Sequence, residues 1–134
     1  MSVETSLLAA VAKLGGVDRI GALEEGDRTA LLVSSGKPLI KYRDGTSKMQ
    51  MGVLLHGRDA DQCAIMSDMG DICDRICARA KLLTLPDTRI MKAEIGTAPA
   101  PFSVDASGRY LYKATLLITY IKSKYKEEEI NESK

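Results

Sequence analysis

The most reactive side chains of this sequence belong to three cysteines and a single histidine. Cys73 and Cys77 are four residues apart, Cys63 lies ten residues earlier, and His56 precedes all three. Three thiolates and an imidazole are a ligand set that binds Zn²⁺ in proteins. A thiol activated by a neighbouring histidine is a common nucleophile. Metal binding and thiol catalysis are therefore the two chemistries that these residues could support.

The pattern around the cysteines favours burial instead. All three fall on or beside the apolar stripe of a long predicted helix, where small hydrophobic side chains belong. Nothing in the sequence pairs His56 with a nucleophile, so we expect a structural histidine with a hydrogen bond at the end of a strand. We expect three core thiols, with a zinc site and a redox role as the alternatives.

Phosphate-binding motifs are also missing, since the sequence contains neither GxGxxG nor GxxxxGK[ST]. No cluster of residues combines a nucleophile, a base and an electrophilic group. The sequence therefore predicts a protein that is not an enzyme and that needs no cofactor or metal.

The composition is that of one soluble globular domain. The chain has 134 residues, of which 45% are hydrophobic and 28% are charged, and its net charge is +1. This length allows a hydrophobic core without disulfides or a metal. We expect a single domain over residues 1–121, followed by a charged, flexible tail over residues 122–134.

The near-neutral charge gives the chain as a whole no signature of nucleic-acid binding, although 19 basic and 18 acidic residues can segregate into a local basic patch. No apolar run approaches the roughly 20 residues of a membrane span. Residues 1–15 lack the basic start and the cleavage site of a signal peptide. The sequence thus predicts a cytoplasmic protein with reduced cysteines.

Hydrophobic periodicity predicts a first helix over residues 3–14, and residues 17–26 fit either a short helical turn or a loop. The next segments alternate as strands do, and Asp44-Gly45 is a strong hairpin signal between the last two of them. Tight turns would join them into an antiparallel meander. These three strands are predicted over residues 29–34, 38–43 and 47–56.

The long helix is expected to begin at Asp59, with Gln62 completing a capping box, and to end near Lys81. Asp71 and Arg75 are four residues apart and predict an ion pair on its surface. Its predicted apolar stripe consists of Met66, Met69, Ile72, Cys73, Ile76, Cys77 and Ala80.

Two further strands end the domain, over residues 89–97 and 110–121. Between them the sequence predicts a proline-aromatic elbow at residues 99–102 and an acidic-glycine turn at residues 105–109. The order α-β-β-β-α-β-β indicates an α+β domain. We expect a twisted antiparallel sheet of about five strands, with the long helix packed on one face and an N-terminal helix beside it.

Two features of these elements could make contacts outside the domain. Lys41, Arg43 and Lys48 flank the predicted hairpin; such charges usually form a solvated turn, but a projecting hairpin can also contact a neighbouring subunit or line a channel that carries DNA. The three tyrosines of the last strand share one face with the alternate aliphatic residues. Core packing explains that face, and any exposed part of it is a candidate contact surface.

The C-terminal motif and the order of the elements together resemble tailed-phage minor capsid proteins of the tail-terminator type. The resemblance covers residues 27–120, and the cysteine-rich helix departs from the family pattern. The matching motifs are Pro101-Phe102, Asp105-x-x-Gly108-Arg109-Tyr110-x-Tyr112, and the junction at residues 54–59 that leads into the long helix.

The resemblance implies a neck protein that forms a ring, commonly a hexamer, on the end of the tail tube. Such a ring stops tube polymerisation and offers the surface that joins the head connector. The implied partners are further copies of the chain, the tail tube protein and the head-tail connector protein, while DNA would pass through the ring without specific contacts. The implied location is the virion, after assembly in the cytoplasm of a bacterial host.

The loops and turns of the domain are expected to supply the contacts with these partners. Two alternatives remain: another neck protein, such as a head-closure or tail-completion protein, or a small cytoplasmic thiol or metal-binding protein that uses the cysteines and His56. The predicted contact residues are Arg43, Asp44, Lys48, Pro101, Phe102, Asp105 and Arg109.

Overall fold

Residues 3–122 are described by the computed structural model, and the order of their elements is the predicted one. The α+β prediction is therefore confirmed. The charged tail predicted over residues 122–134 lies outside the described residues, apart from Lys122. The elements are α1 (Val3–Gly15), β1 (Arg19–Ile20), β2 (Thr29–Lys41), β3 (Ser47–Asp59), α2 (Gln62–Arg79), a 3₁₀ turn (Ala80–Leu82), β4 (Thr88–Val104) and β5 (Tyr110–Lys122).

The sheet has the strand order β1-β2-β3-β5-β4. The prediction of a purely antiparallel sheet is wrong at one edge, because β1 pairs in parallel with Ala30 and Leu31 of β2. The other neighbours are antiparallel. A strand of two residues leaves no periodicity in the sequence, which is why this segment was ambiguous between a turn and a loop.

The predicted three-strand meander is a two-stranded hairpin, since β2 covers both of the segments that were expected to be separate strands. The Ser35-Gly36 pair does not end the strand; it lies beside a register shift between Val33 and Ser35. The shift fits opposite Gly52, where a Cβ atom would collide with the Ser35 hydroxyl. A bulge thus occupies the place where the sequence suggested a turn.

The predicted elbow at residues 99–102 is likewise wrong, because β4 continues through it to Val104. The β4–β5 pairing has four register shifts, and two of them, between Thr97 and Ala100 and between Pro101 and Ser103, absorb the irregular backbone of this segment. Two prolines are tolerated there because β4 is an edge strand, whose outer amides have no partner within the sheet.

Helix α2 begins later than predicted. Asp61 is its N-cap, and the Asp61 carboxylate accepts a hydrogen bond from the amide of Ala64 at 3.1 Å. Asp59 cannot cap the helix because it still pairs with Tyr110 in the sheet. Its carboxylate instead accepts from the amide of Asp61 and from the guanidinium of Arg28.

The buried stripe of α2 is also rotated from its predicted position. Met66 is 52% exposed, whereas Ile65, which was not predicted, is fully buried. Arg75 does not form the predicted ion pair with Asp71. Its guanidinium instead donates a hydrogen bond to the carbonyl of Gly15 at 2.8 Å, which connects α2 to the end of α1. The buried residues of α2 are Ile65, Met69, Ile72, Cys73 and Ile76.

Both helices pack on one face of the sheet, and the core lies between them and that face. The predicted tyrosine face of β5 belongs to this core, where Tyr112 and Tyr120 are buried. The opposite face has no element packed on it within residues 3–122, and we call it the open face. It is defined by Gln50, Leu54 and His56 of β3 and, in register with them, Thr119, Thr115 and Lys113 of β5.

The N-terminal helix is fixed to the end of the last strand by a polar contact. The Tyr120 hydroxyl donates to the Glu4 carboxylate at 2.8 Å, and the Lys122 ammonium lies 3.4 Å from it. Partial burial alone would raise the pKa of Glu4, but the Tyr120 hydroxyl, the backbone amide of Glu4 and the Lys122 ammonium together outweigh it and hold the pKa below its ordinary value of 4.5.

Helix α2 approaches the sheet most closely at Gly57. A Cβ atom built there would lie 2.9 Å from Ile65 and still closer to the sulfur of Met69. The absence of a side chain at Gly57 therefore sets the distance between helix and sheet.

We expect Gly57→Ala to destabilise the domain by about 1–3 kcal/mol, because an extra methyl group in a filled core displaces its neighbours. Gly70→Ala is the matched control: nothing outside the helix lies within 4 Å of the added methyl group, and alanine favours a helix by up to about 1 kcal/mol. Urea unfolding of both variants measures the difference. Equal free energies of unfolding for the two would contradict this packing.

We expect Tyr120→Phe to lower stability by about 1 kcal/mol at pH 7, through loss of the hydrogen bond to an ionised carboxylate. Because the pKa of Glu4 is lowered on folding, this stabilisation is present above pH 4.5 and is lost as the pH falls through the lowered value. The stability difference between wild type and variant should therefore shrink in acid. Urea unfolding at pH 7 and pH 3 tests this, and a constant difference would count against it.

Candidate functional site

The predicted contact residues lie at opposite ends of the sheet. The β2–β3 hairpin lies next to the Ser47–Lys122 pair at one end of the sheet. The β4–β5 turn lies next to the Val104–Tyr110 pair at the other end. Strand β3 spans the distance between these ends with 13 residues, which corresponds to about 40 Å. The structure therefore divides the candidate residues into a hairpin end and a turn end.

At the hairpin end, Asp44 builds the turn. Its carboxylate accepts hydrogen bonds from the amide and the hydroxyl of Thr46, at 2.9 and 2.7 Å. Gly45 completes the turn with a φ of 93°. Arg43 is exposed and Lys48 is half-buried at the edge of the open face, so both can reach a partner.

At the turn end, Asp105 has a similar structural role. Its carboxylate accepts from the amides of Ser107 and Arg109 and from the Arg109 side chain, all within 2.9 Å. The amide of Arg109, followed by that of Ser107, holds the pKa of Asp105 below its ordinary value. Arg109 also lies 3.8 Å from Glu25. Both predicted contact residues are therefore engaged within the chain, and contact with a partner stays a prediction.

Phe102 and His56 form a contact that the sequence did not predict. Their ring centroids are 5.8 Å apart, and the Lys113 ammonium lies 5.4 Å from the centre of the Phe102 ring. Burial and, secondarily, Lys113 lower the pKa of His56, which favours its neutral imidazole. Phe102 is 47% exposed and the neighbouring Pro101 is exposed too, so both can contact a partner.

The cysteines differ from one another in exposure. Cys73 is buried, as predicted, and burial raises its pKa to about 11. Cys77 is half-buried with a raised pKa, whereas Cys63 is exposed, so its predicted burial is wrong. The helix begins after Asp61, and its first turn presents Cys63 to solvent.

The four candidate ligands of the zinc hypothesis are not brought together. His56 lies on the open face, while Cys73 lies in the core on the other side of the sheet. Within residues 3–122, no group of three or more histidine, cysteine, aspartate or glutamate residues is placed to hold a metal ion.

A polar cavity of about 220 Å³ lies where both helices meet the loop before β2. Arg28 crosses it and forms ion pairs with Asp59, at 2.7 Å, and with Asp68. Asp18 accepts from the amides of Arg28 and Thr29. These contacts join β2, β3 and α2, so the cavity is part of the scaffold.

The two edges of the sheet are open. Among residues 3–122, β1 covers only Ala30 and Leu31 of β2, and the outer side of β4 has no partner beyond a single bridge between Leu85 and Thr88. Nine of the eleven exposed large hydrophobic residues lie on these edge strands or on the hairpin beside them. They are Ile20, Val33, Leu39, Ile40 and Tyr42 on one side and Met91, Ile95, Phe102 and Val104 on the other.

Sequence reasoning missed these edges as interaction surfaces. The consecutive apolar residues Leu39 and Ile40 interrupt the strand alternation, which was the available signal. Neither helix within residues 3–122 is long and apolar enough to cross a membrane.

We expect a thiol reagent at pH 7 to modify Cys63 rapidly, because it is exposed, and to leave Cys73 unmodified until the protein unfolds. Half-buried Cys77 should react at an intermediate rate. Cys63→Ser should remove the fast phase, and Cys73→Ser, the matched control, should preserve it. Rapid modification of all three thiols in the folded protein would contradict the observed helix orientation.

Comparison with known proteins gives a structural similarity. No protein-family model matches the sequence, and no curated protein matches it. Among solved structures, the fold is similar to that of a chain in the virion of a native gene transfer agent (GTA) particle. The TM-score is 0.54 and the identity is 13%, over 87% of this chain and 90% of that chain. What this similarity establishes is a shared fold across nearly the whole length of both chains.

Proposed function

We propose that this protein is a structural component of a phage-like virion, and that it forms a ring that caps the tail tube, stops its polymerisation and joins it to the head connector. The observation that carries this proposal is the pair of open, apolar edges on opposite sides of one sheet. The fold shared with a chain of a gene transfer agent virion supports the virion role.

The two edges differ in sequence, which favours a head-to-tail contact between copies. In such a contact the β4 edge of one subunit meets the β2 edge of the next. A repeated contact between unlike surfaces closes into a ring when the rotation from one copy to the next is a whole-number fraction of 360°. We propose a ring of six copies. The exposed apolar residues of both edges would then be covered.

Prolines limit how these edges can pair. Pro38 interrupts the β2 edge, and Pro99 and Pro101 interrupt β4, so neither edge can add strands without restriction. The longest proline-free part of β4 is residues 88–98, which include the exposed Met91 and Ile95. We place the contact with the next subunit there, with side-chain packing and local strand addition as its components.

The separation of the two ends suggests the remaining contacts. If the edges meet neighbouring subunits, the hairpin end and the turn end project toward the parts above and below the ring. Arg43 would then contact one of the two axial partners, and Pro101 and Phe102 the other. The tail tube protein and the head-tail connector protein are the partners proposed for these ends.

A test of the ring is the double variant Met91→Lys/Ile95→Lys, which places charge on the β4 edge. Lysine on an edge strand opposes pairing with another strand. We expect light scattering of the concentrated wild-type protein to give a mass of about six subunits and the variant to be a monomer. The matched control is Met66→Lys/Leu82→Lys, which adds the same charge at exposed apolar positions that are not on the edge strands.

The control should assemble as the wild type does. A wild-type protein that stays monomeric at every concentration, or a control that dissociates as fully as the edge variant, would contradict the edge-to-edge ring. The virion role has a separate test in the genes that flank the coding sequence, where we expect tail and neck genes.

A further inference from the structure

Charge is distributed unevenly between the two faces of this domain. The open face carries many more basic than acidic side chains, although the whole chain has a net charge of only +1. The strand register places a single acidic residue, Glu94, on this face. Its basic residues are Lys37, Lys48, Arg58, Arg89, Lys92 and Lys113.

Most of these cations have no acidic partner among residues 3–122. Lys92 lies 3.7 Å from Glu94, and Arg58 donates to the carbonyls of the loop before β2. The other four take part in none of the ion pairs found among residues 3–122, whereas Arg19, Arg28 and Arg109 at the turn end are all paired. The four unpaired cations are Lys37, Lys48, Arg89 and Lys113.

The unpaired cations are spread over the sheet in a regular pattern. Lys48 and Arg89 are in register with the same residue of β5, Ile121, and are therefore about 10 Å apart across two strand spacings. Lys37 of β2 is in register with Gln50, two residues along β3 from Lys48. Lys113 lies toward the turn end of β5. The pattern is an extended positive surface across strands β2, β3, β5 and β4.

We infer that the open face binds the phosphate backbone of duplex DNA. DNA presents negative charge at regular intervals along its whole length, which suits cations dispersed over an extended surface. The face also carries Gln50, Thr97 and Thr115, and amide and hydroxyl side chains are common donors to phosphate oxygens. Such contacts carry no base information, so binding is independent of sequence.

This inference goes beyond the proposed function and does not require a ring, because it depends only on the charges of one face. Where both proposals hold, they agree geometrically. In a ring of edge-joined sheets, the helices fit on the outside, where the circumference is larger, and the open face turns inward. It would then line the path that DNA takes through the ring.

The test is fluorescence anisotropy of a labelled duplex of about 30 base pairs with the full-length protein, at salt concentrations from 50 to 200 mM. With four cations contacting phosphates, the affinity should fall about 100-fold over this range. Lys48→Gln/Arg89→Gln/Lys113→Gln should lower the affinity at 50 mM salt at least tenfold. It should also reduce the slope of log affinity against log salt by about 3.

The matched control is Lys13→Gln/Arg79→Gln/Lys81→Gln, which removes the same charge from exposed positions on the helical side. Its affinity should change less than threefold. Circular dichroism and urea unfolding establish that both triple variants are folded. If Lys48→Gln/Arg89→Gln/Lys113→Gln does not fold, the single variants Lys48→Gln and Arg89→Gln replace it in the binding assay. Their expected effects are intermediate.

Three results would overturn the inference. The first is no binding of the wild type at 50 mM salt, and the second is an equal loss of affinity in both triple variants. The third is competition by poly-L-glutamate as effective as that by unlabelled duplex at equal charge, which would identify an acidic protein surface as the partner. None of these results bears on ring formation, which light scattering measures separately.

Discussion

The packing of both helices against a single face of the sheet is the constraint on which the rest of this structure depends. Its closest point is Gly57, where the missing side chain lets Ile65 and Met69 of α2 rest on the strand. Arg75 then ties α2 to the end of α1, and Glu4 ties α1 to Tyr120. With both helices used on one side, the open face and two sheet edges are left for other interactions.

The remaining surfaces have distinct chemical characters, which is why they suit an assembly protein. The edges carry exposed apolar side chains, the open face carries unpaired cations, and the two ends are formed by turns with internally satisfied aspartates. One small domain can thus offer separate surfaces to its own copies, to axial partners and to a polyanion. The ring subunit that we propose would need this separation, because it would make all of these contacts at once.

Several elements were predictable because their signals are local. The Asp44-Gly45 hairpin, the turn built by Asp105 and the alternation of β5 are all found where the sequence places them. The errors occur where a local signal competes with sheet pairing. Ser35-Gly36 and the prolines of residues 99–102 resemble strand ends, yet pairing with β3 and β5 carries the chain through them as bulges. Asp59 likewise resembles a helix cap, yet it pairs with Tyr110 in the sheet, and the helix begins after Asp61.

The sequence by itself determined the class of fold, both helices and the last three strands, because periodicity and turn residues act over short distances along the chain. Tertiary structure decided which residues are neighbours: it placed His56 against Phe102, separated His56 from Cys73 by the sheet, and exposed Cys63. It also decided which strands became edges and which cations share a face. Those properties depend on the register between distant segments, and a single sequence carries no direct record of that register.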